Sequence, residues 1–207
     1  MQGLRGSGSV STHGLINRAF QGFLRETYGL AVWRRIALEA GLGFDSFEPL
    51  LIYRRTQTLS VIAAAARILD RPADTLMEDL GTSLVSNPKS DAVRRLLRFG
   101  GVTYIDFLHS LEEVRGRGRM AVPDLDLPVL ELDEAGPQMY RLRCRSNLPG
   151  AGHVLIGLLR AMADDYGALA LLDLESIDPD GGETVSIHLL DQNHAVARRF
   201  DLVAPEV

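Results

Sequence analysis

The sequence lacks the features that mark secreted and membrane proteins. Its single cysteine, Cys144, excludes an intrachain disulfide and fits a reducing compartment. No apolar run approaches the ~20 residues that a bilayer-spanning helix needs. The N-terminus lacks the charged and then apolar pattern of a secretory signal. We therefore expect a cytoplasmic protein with no membrane partner.

Catalytic and nucleic-acid-binding patterns are also missing. The net charge is −5 and the arginines are scattered, which argues against a nucleic-acid partner. The chain has no glycine-rich phosphate loop, no zinc-type Cys/His cluster and no Gly-x-Ser-x-Gly elbow. The acidic, glycine-containing stretch 178–182 lacks the ligand series of an EF-hand and is typical of a hairpin turn. Because no residue pair has catalytic spacing, we predict that the protein is not an enzyme.

Hydrophobic periodicity divides the chain into two halves. Helical spacing predicts helices over 15–28, 30–40, 56–69, 91–99, 103–115 and 152–165, with another beginning at Pro72. Alternation predicts strands over 129–132, 139–144, 168–174 and 184–190, and a last short strand over 200–203. The predicted class is α+β: a helical N-terminal half followed by a four-stranded antiparallel sheet with one packed helix.

The chain is predicted to form one domain. Residues 1–12 are rich in Gly and Ser and should be a flexible tail. Residues 13–207 would then form a helical subdomain over 13–115 and a sheet subdomain over 129–203. Between them, the Gly-Arg-Gly-Arg stretch 116–119 predicts a flexible basic turn, followed by an extended link.

The helix over 103–115 has two distinguishable sides. At about 100° per residue, one side is apolar and carries Tyr104, Phe107, Leu108, Leu111 and Val114. Arg115 falls within this apolar arc, whereas His109 falls among carboxylates. We therefore expect His109 to face water and the guanidinium of Arg115 to face inward. A guanidinium stays protonated and has no free lone pair, so it cannot ligate a metal.

The residues of this helix resemble a known motif. Phe107-Leu108 with Ser110-Leu111-Glu112 is similar to the Phe-Leu-x-Asn-Leu-Asp of the signal helix in the heme-nitric oxide/oxygen binding (H-NOX, HNOB) family, which includes the sensor domain of soluble guanylate cyclase. Further similarities lie at His13 to Asn17, at Tyr28-Gly29 followed by Trp33, at Tyr53 to Leu69, at Leu80-Gly81, and at Pro123 and Pro128. The ungapped match to both prolines places Arg115 at the position of the family's iron-ligating histidine.

A second motif of the family is altered. Its Tyr-x-Ser-x-Arg segment binds the heme propionates, and the matching residues here run from Cys144 to Leu148. Ser146 is retained, but Cys144 replaces the tyrosine and Leu148 replaces the arginine. An alkyl side chain cannot supply the bidentate guanidinium–carboxylate pair.

The resemblance also implies the walls of a heme pocket. Ile16 and Phe20 would line its distal side, and Pro128 would press on the porphyrin from the proximal side. The same apolar positions are equally consistent with ordinary core packing. His153 is the remaining candidate iron ligand, although its expected direction is nearly opposite to the apolar side of its helix.

By resemblance, the function is that of a non-catalytic sensor domain that signals to a separate partner protein. Stand-alone bacterial members typically regulate histidine kinases or cyclic-di-nucleotide enzymes. In one version, heme b is still bound, weakly or through His153, and senses nitric oxide. In the other, the heme site is degenerate, and Arg115 neutralises a buried carboxylate, binds another anionic ligand or fills space. A heme-free, protein-binding adaptor is the third alternative.

Overall fold

The computed structural model describes residues 11–191, except for the side chains of residues 91 and 92. This part of the chain contains eight α-helices and six β-strands. The helices are α1 (Gly14–Tyr28), α2 (Leu30–Glu39), α3 (Arg55–Leu69), α4 (Ala73–Ser86), α5 (Asp91–Arg98), α6 (Tyr104–Ser110), α7 (Val114–Ala121) and α8 (Ala151–Tyr166). The strands are β1 (Ser11–His13), β2 (Ile52–Arg54), β3 (Val129–Gly136), β4 (Met139–Arg145), β5 (Leu169–Ile177) and β6 (Glu183–Asp191). Within this range, no helix has the length and apolar character required to traverse a lipid bilayer.

The N-terminal half closes around an aromatic core. Trp33 is fully buried, and its indole N–H donates to the carbonyl of Asp45 at 2.7 Å. Phe47 packs edge-on against Tyr53, with ring centroids 4.8 Å apart. β1 pairs antiparallel with β2, so residues 11 and 12 lie in a strand and not in the predicted flexible tail. Backbone pairing to β2 fixes them, a long-range contact that composition does not report.

The C-terminal half is a four-stranded antiparallel sheet in the order β3-β4-β6-β5. Along β4, buried and exposed residues alternate, because one face of the sheet packs under α8 and the other meets solvent. This arrangement confirms the predicted α+β class and the predicted strands over 129–190. The strand predicted over 200–203 lies outside the described residues.

Helices α4 and α8 join the two halves in close backbone contact. A Cβ added to Gly157 would lie 1.9 Å from the carbonyl oxygen of Glu78, and one added to Gly81 would lie 2.0 Å from that of Val154. Real Cβ atoms are not found at such distances, so only glycine lets the two helices approach this closely. We call this contact the glycine junction.

The segment after α6 differs from its prediction. Residues 116–119 were expected to form a flexible turn, but they belong to α7. Arg117 donates to the carbonyl of Ser110 at 3.0 Å and so satisfies a free carbonyl at the end of α6. Gly118 is buried against Leu127, where a Cβ would lie 2.6 Å from a methyl carbon of that leucine. These contacts hold the glycine-containing stretch in a helix.

Candidate functional site

Arg115 is placed by a break in the predicted helix. The buried side of α6 is as expected, with Tyr104, Phe107 and Leu108 almost fully enclosed. A 3-10 turn over Leu111–Glu113 then separates α6 from α7. A 3-10 helix rotates about 120° per residue and an α-helix about 100°, so three residues add about 60° of rotation. Arg115 therefore faces the edge of the apolar interior and not its centre.

The guanidinium of Arg115 forms an ion pair at this edge. Its Nη2 lies 3.0 Å from Oδ1 of Asp126, and the two side chains are 34% and 36% exposed. Its Nε is buried and has no hydrogen-bond partner among the described residues. The side chain thus lies at the interface between protein and solvent, anchored on one carboxylate.

The ion pair belongs to a longer polar chain. The amide of Asn147 donates to Oδ2 of Asp126 at 2.6 Å. Arg55, at the start of α3, donates to the backbone carbonyl of Asn147 at 3.0 Å. We call Arg115, Asp126, Asn147 and Arg55 the polar junction. It connects α7, the link after it, the turn between β4 and α8, and the helical half.

A pocket of about 280 Å³ opens beside the polar junction. Its walls are Arg115, Asp126, Leu127, Val129, Arg145, Ser146, Asn147, Asp180, Gly181 and Gly182. Of the candidate heme-site residues that the sequence singled out, Arg115 and Ser146 line it, and so do Asp180, Gly181 and Gly182 of the acidic stretch 178–182. Oγ of Ser146 accepts from the backbone N–H of Leu148 at 3.1 Å, which leaves its own hydroxyl hydrogen able to donate.

The other predicted pocket residues lie elsewhere. Phe20 is buried in the core of the helical half, and Leu148 packs against that same core. Cys144 is buried in the core beneath the sheet. Ile16 and Pro128 are half-buried, and neither lines the pocket beside Arg115.

His153, the fallback iron ligand, is enclosed by carboxylates. Its Nδ1 lies 3.4 Å from Glu78 and its Nε2 lies 3.7 Å from Asp74, both on α4. Its side chain is only 16% exposed, because the face of α8 that carries it packs on α4. The sequence predicts a direction nearly opposite to the apolar side of α8, and in the structure that direction faces α4. Only the contact between Nδ1 and Glu78 is within hydrogen-bond distance, and Asp74 lies farther from Nε2.

The remaining described histidines are also engaged or remote. His13 accepts from the backbone N–H of Leu15 at 3.1 Å and so caps α1. His109 is half-exposed, as predicted, and lies 3.5 Å from Glu134. His188 is exposed on the sheet. Across residues 11–191, no group of three or more His, Cys, Asp or Glu side chains is arranged to hold a metal ion.

Burial controls the chemistry of Cys144. Desolvation is the main cause that raises the pKa of this thiol to about 12, and the negative charge of Glu183 adds to it. The side chain is therefore a neutral thiol at physiological pH and not a thiolate. The neighbouring Arg143 and Arg145 are exposed and lie on the opposite face of the sheet.

Sequence reasoning missed three members of the polar junction: Asp126, Asn147 and Arg55. Asp126 lies between the two prolines of the link, where no periodicity indicates a direction. Asn147 falls inside the altered propionate motif, but at a position where the motif itself specifies no residue. The usable signal was the acidic residue on the link, which could have been considered as a partner for Arg115.

A family model described as "Haem-NO-binding" matches residues 13–170. The chain is 25% identical over 167 residues to soluble guanylate cyclase gcy-31 of Caenorhabditis elegans, covering 79% of this chain and 24% of that protein. It is 22% identical over 193 residues to soluble guanylate cyclase 89Da of Drosophila melanogaster, covering 92% and 29%. The chain thus spans about a quarter of the length of these relatives.

Solved structures with the same fold include the Fe(II) unliganded H-NOX protein from K. algicida. The TM-score is 0.74 at 19% identity, with 87% of this chain and 97% of that chain covered. The H-NOX protein from S. oneidensis in the Fe(II)NO ligation state gives a TM-score of 0.72 at 14% identity, with 87% and 100% covered.

Proposed function

Because the chain belongs to the Haem-NO-binding (H-NOX) family, we propose that it is a sensor-type signalling domain in which an ion pair has replaced the iron ligand. The observation that carries the proposal is the 3.0 Å contact between Arg115 and Asp126. By resemblance, residue 115 is where the family presents its histidine. Here that residue is a permanent cation whose charge a neighbouring carboxylate already balances.

The residues at the heme positions do not fit heme. Arg115 has no lone pair for iron, and its guanidinium is directed to Asp126. Leu148, at the position of the propionate-binding arginine, packs against the helical core. Cys144, at the position of the propionate-binding tyrosine, is buried in the core beneath the sheet and has no phenol hydroxyl to offer a propionate. We therefore propose a degenerate heme site.

We also propose that His153 does not take over iron ligation. A histidine ligand needs one ring nitrogen free for the metal. Both ring nitrogens of His153 lie within 4 Å of a carboxylate on α4, at 3.4 Å and 3.7 Å. Iron at Nε2 would lie beside the carboxylate of Asp74 on α4 and away from the pocket beside Arg115, which His153 does not line.

The proposed output is control of a signalling partner. A histidine kinase or a cyclic-di-nucleotide enzyme follows from the family resemblance, and a guanylate cyclase follows from the relatives in worm and fly. The polar pocket beside Arg115 favours the version that reads a small ligand over a ligand-free adaptor, because an adaptor needs no such opening.

Heme reconstitution tests the degenerate site. The purified protein, Arg115→His and the double variant Arg115→His/Leu148→Arg would be titrated with hemin, reduced, and followed by their Soret absorbance. The H-NOX protein from K. algicida serves as the positive control. We expect no stoichiometric uptake by the unmodified chain and the largest gain for the double variant.

Stoichiometric heme binding by the unmodified chain would refute the proposal. If it occurs, His153→Ala identifies the ligand, since loss of the Soret band in that variant would assign the iron to His153. Failure of the double variant to bind hemin would show that the interior around residue 115 has closed, which agrees with a degenerate heme site.

A further inference from the structure

The pocket beside Arg115 is built for a small polar molecule. Its volume of about 280 Å³ lies just below the ~300 Å³ at which sites for drug-sized ligands begin. Leu127 and Val129 are its apolar lining residues, and most of the others are charged or able to hydrogen-bond. A ligand of a few heavy atoms with polar ends suits this shape better than a large apolar one.

The charges around the pocket balance. Arg115 and Arg145 contribute two cations, and Asp126 and Asp180 contribute two carboxylates. Arg145 is also paired with Glu131 on the neighbouring strand. The pocket therefore has no cationic excess to hold a bare anion and no cluster of carboxylates to hold a metal ion.

Hydrogen-bonding capacity is nevertheless left over. Of the guanidinium of Arg115, only Nη2 has a hydrogen bond to a described residue, and that bond goes to Asp126. The hydroxyl of Ser146 can still donate. Asp180 receives one bond, from the backbone N–H of Gly182 at 3.3 Å, so its other oxygen can accept. The pocket thus offers hydrogen-bond donors at Arg115 and Ser146 and an acceptor at Asp180.

We propose that this pocket binds a small zwitterion of the α-amino-acid class. The ligand's carboxylate would be held by Arg115 and Ser146, and its ammonium group by Asp180. The inference rests on the proposed function, since it requires that Arg115 be free of heme iron. It adds a ligand class to the sensor role.

Binding would act on the polar junction. The ligand's carboxylate competes with Asp126 for Arg115, and Asp126 also holds Asn147 at 2.6 Å. Asn147 in turn accepts from Arg55 at the start of α3. A ligand that loosens the Arg115–Asp126 pair therefore changes the restraint between the sheet half and the helical half. This gives a physical route from the pocket to the rest of the domain.

Matched ligands test the proposal by calorimetric titration of the intact, heme-free protein. The panel contains L-alanine and L-aspartate, the corresponding acids without the amine (propionate and succinate), and propylamine. We expect at least one amino acid to bind with a dissociation constant at least tenfold lower than that of its matched acid and that of propylamine. Arg115→Gln and Asp180→Asn should each weaken that binding at least tenfold.

Arg141→Gln is the matched control variant. Arg141 lies on the same strand as Arg145 and pairs with Glu175 at 2.8 Å, but it does not line the pocket. We expect its binding to equal that of the unmodified chain. Circular dichroism of each variant confirms folding, and Asp180→Asn, in an exposed turn, provides the test if Arg115→Gln does not fold.

Two outcomes would overturn the inference: equal binding of acid and amino acid, which indicates an anion site, or no binding across the panel. An absorbance spectrum of the same sample separates this failure from failure of the proposed function. A stoichiometric Soret band refutes the degenerate heme site, whereas absent binding in a colourless protein refutes only the zwitterion.

Discussion

The two junctions between the helical half and the sheet half differ in their chemistry. At the glycine junction, α4 and α8 meet backbone to backbone, and no solvent or ligand can enter without separating the helices. At the polar junction, the Arg115–Asp126 pair is about one-third exposed and borders an open pocket. The first contact is closed by direct backbone packing, whereas the second is accessible from the pocket, as the proposed ligand binding requires.

Energetics supports this division of roles. Overpacking a tightly packed contact costs ~1–3 kcal/mol and sometimes more. A partly exposed ion pair contributes ~0–1 kcal/mol. The Arg115–Asp126 pair can therefore break at little cost to the fold, as the proposed ligand response requires.

The largest expected effect comes from Gly157→Val. The added side chain would begin 1.9 Å from the carbonyl of Glu78, so α8 must move away from α4. We expect a loss of about 3 kcal/mol or more in the free energy of unfolding, measured by urea denaturation. Gly22→Ala is the control, because a Cβ there meets nothing within 4 Å in α1; it should stabilise the protein by ~0.5–1 kcal/mol. Equal effects of the two variants would contradict the glycine junction.

A smaller loss in the free energy of unfolding is expected when Glu183 is replaced, because its buried carboxylate binds the backbone at the start of α8. This carboxylate is 5% exposed and accepts from the backbone N–H groups of Gly150 at 2.9 Å and Gly152 at 2.6 Å. Glu183→Ala leaves both donors without a partner and should cost ~1–3 kcal/mol. Glu175→Ala, which removes an exposed partner of Arg141, should stay within about 0.5 kcal/mol. A near-neutral Glu183→Ala would show that water replaces the carboxylate.

Breaking the Arg115–Asp126 pair of the polar junction should change the free energy of unfolding still less. In a double-mutant cycle of Arg115→Gln and Asp126→Asn, we expect a coupling energy of no more than ~1 kcal/mol, decreasing as salt is raised. The reason is solvent screening of a pair that is 34% and 36% exposed. A large, salt-independent coupling would assign this junction a structural role like that of the glycine junction.

The smallest expected effect on stability comes from ionisation of the Cys144 thiol. Burial raises its pKa to about 12, so the native protein should resist alkylation at neutral pH, while the urea-unfolded chain reacts readily. The unfolded thiol ionises first as pH rises, so its ionisation lowers stability from about pH 8.5 upward. Reaction of the native protein at the unfolded rate would show that the sheet core opens to solvent.

Much of the fold could be predicted from the sequence, but the direction of Arg115 could not. Periodicity reports burial directly, and so the strands of the sheet and the buried side of α6 were predicted correctly. The 3-10 turn over Leu111–Glu113 has no clear sequence signal, yet it rotates every side chain after it. The partner Asp126 lies on a non-periodic link, and its contact with Arg115 depends on the path of that link.

Heme content after expression with added iron and heme precursor is the most direct test of the central account. The ratio of heme to protein would be measured as the pyridine hemochrome, beside the K. algicida H-NOX protein expressed in the same way. The pairing of Arg115 with Asp126 predicts a heme-to-protein ratio near zero, whereas the ratio for the reference protein should be about one. A ratio near one, with a Soret band that survives dialysis, would contradict it.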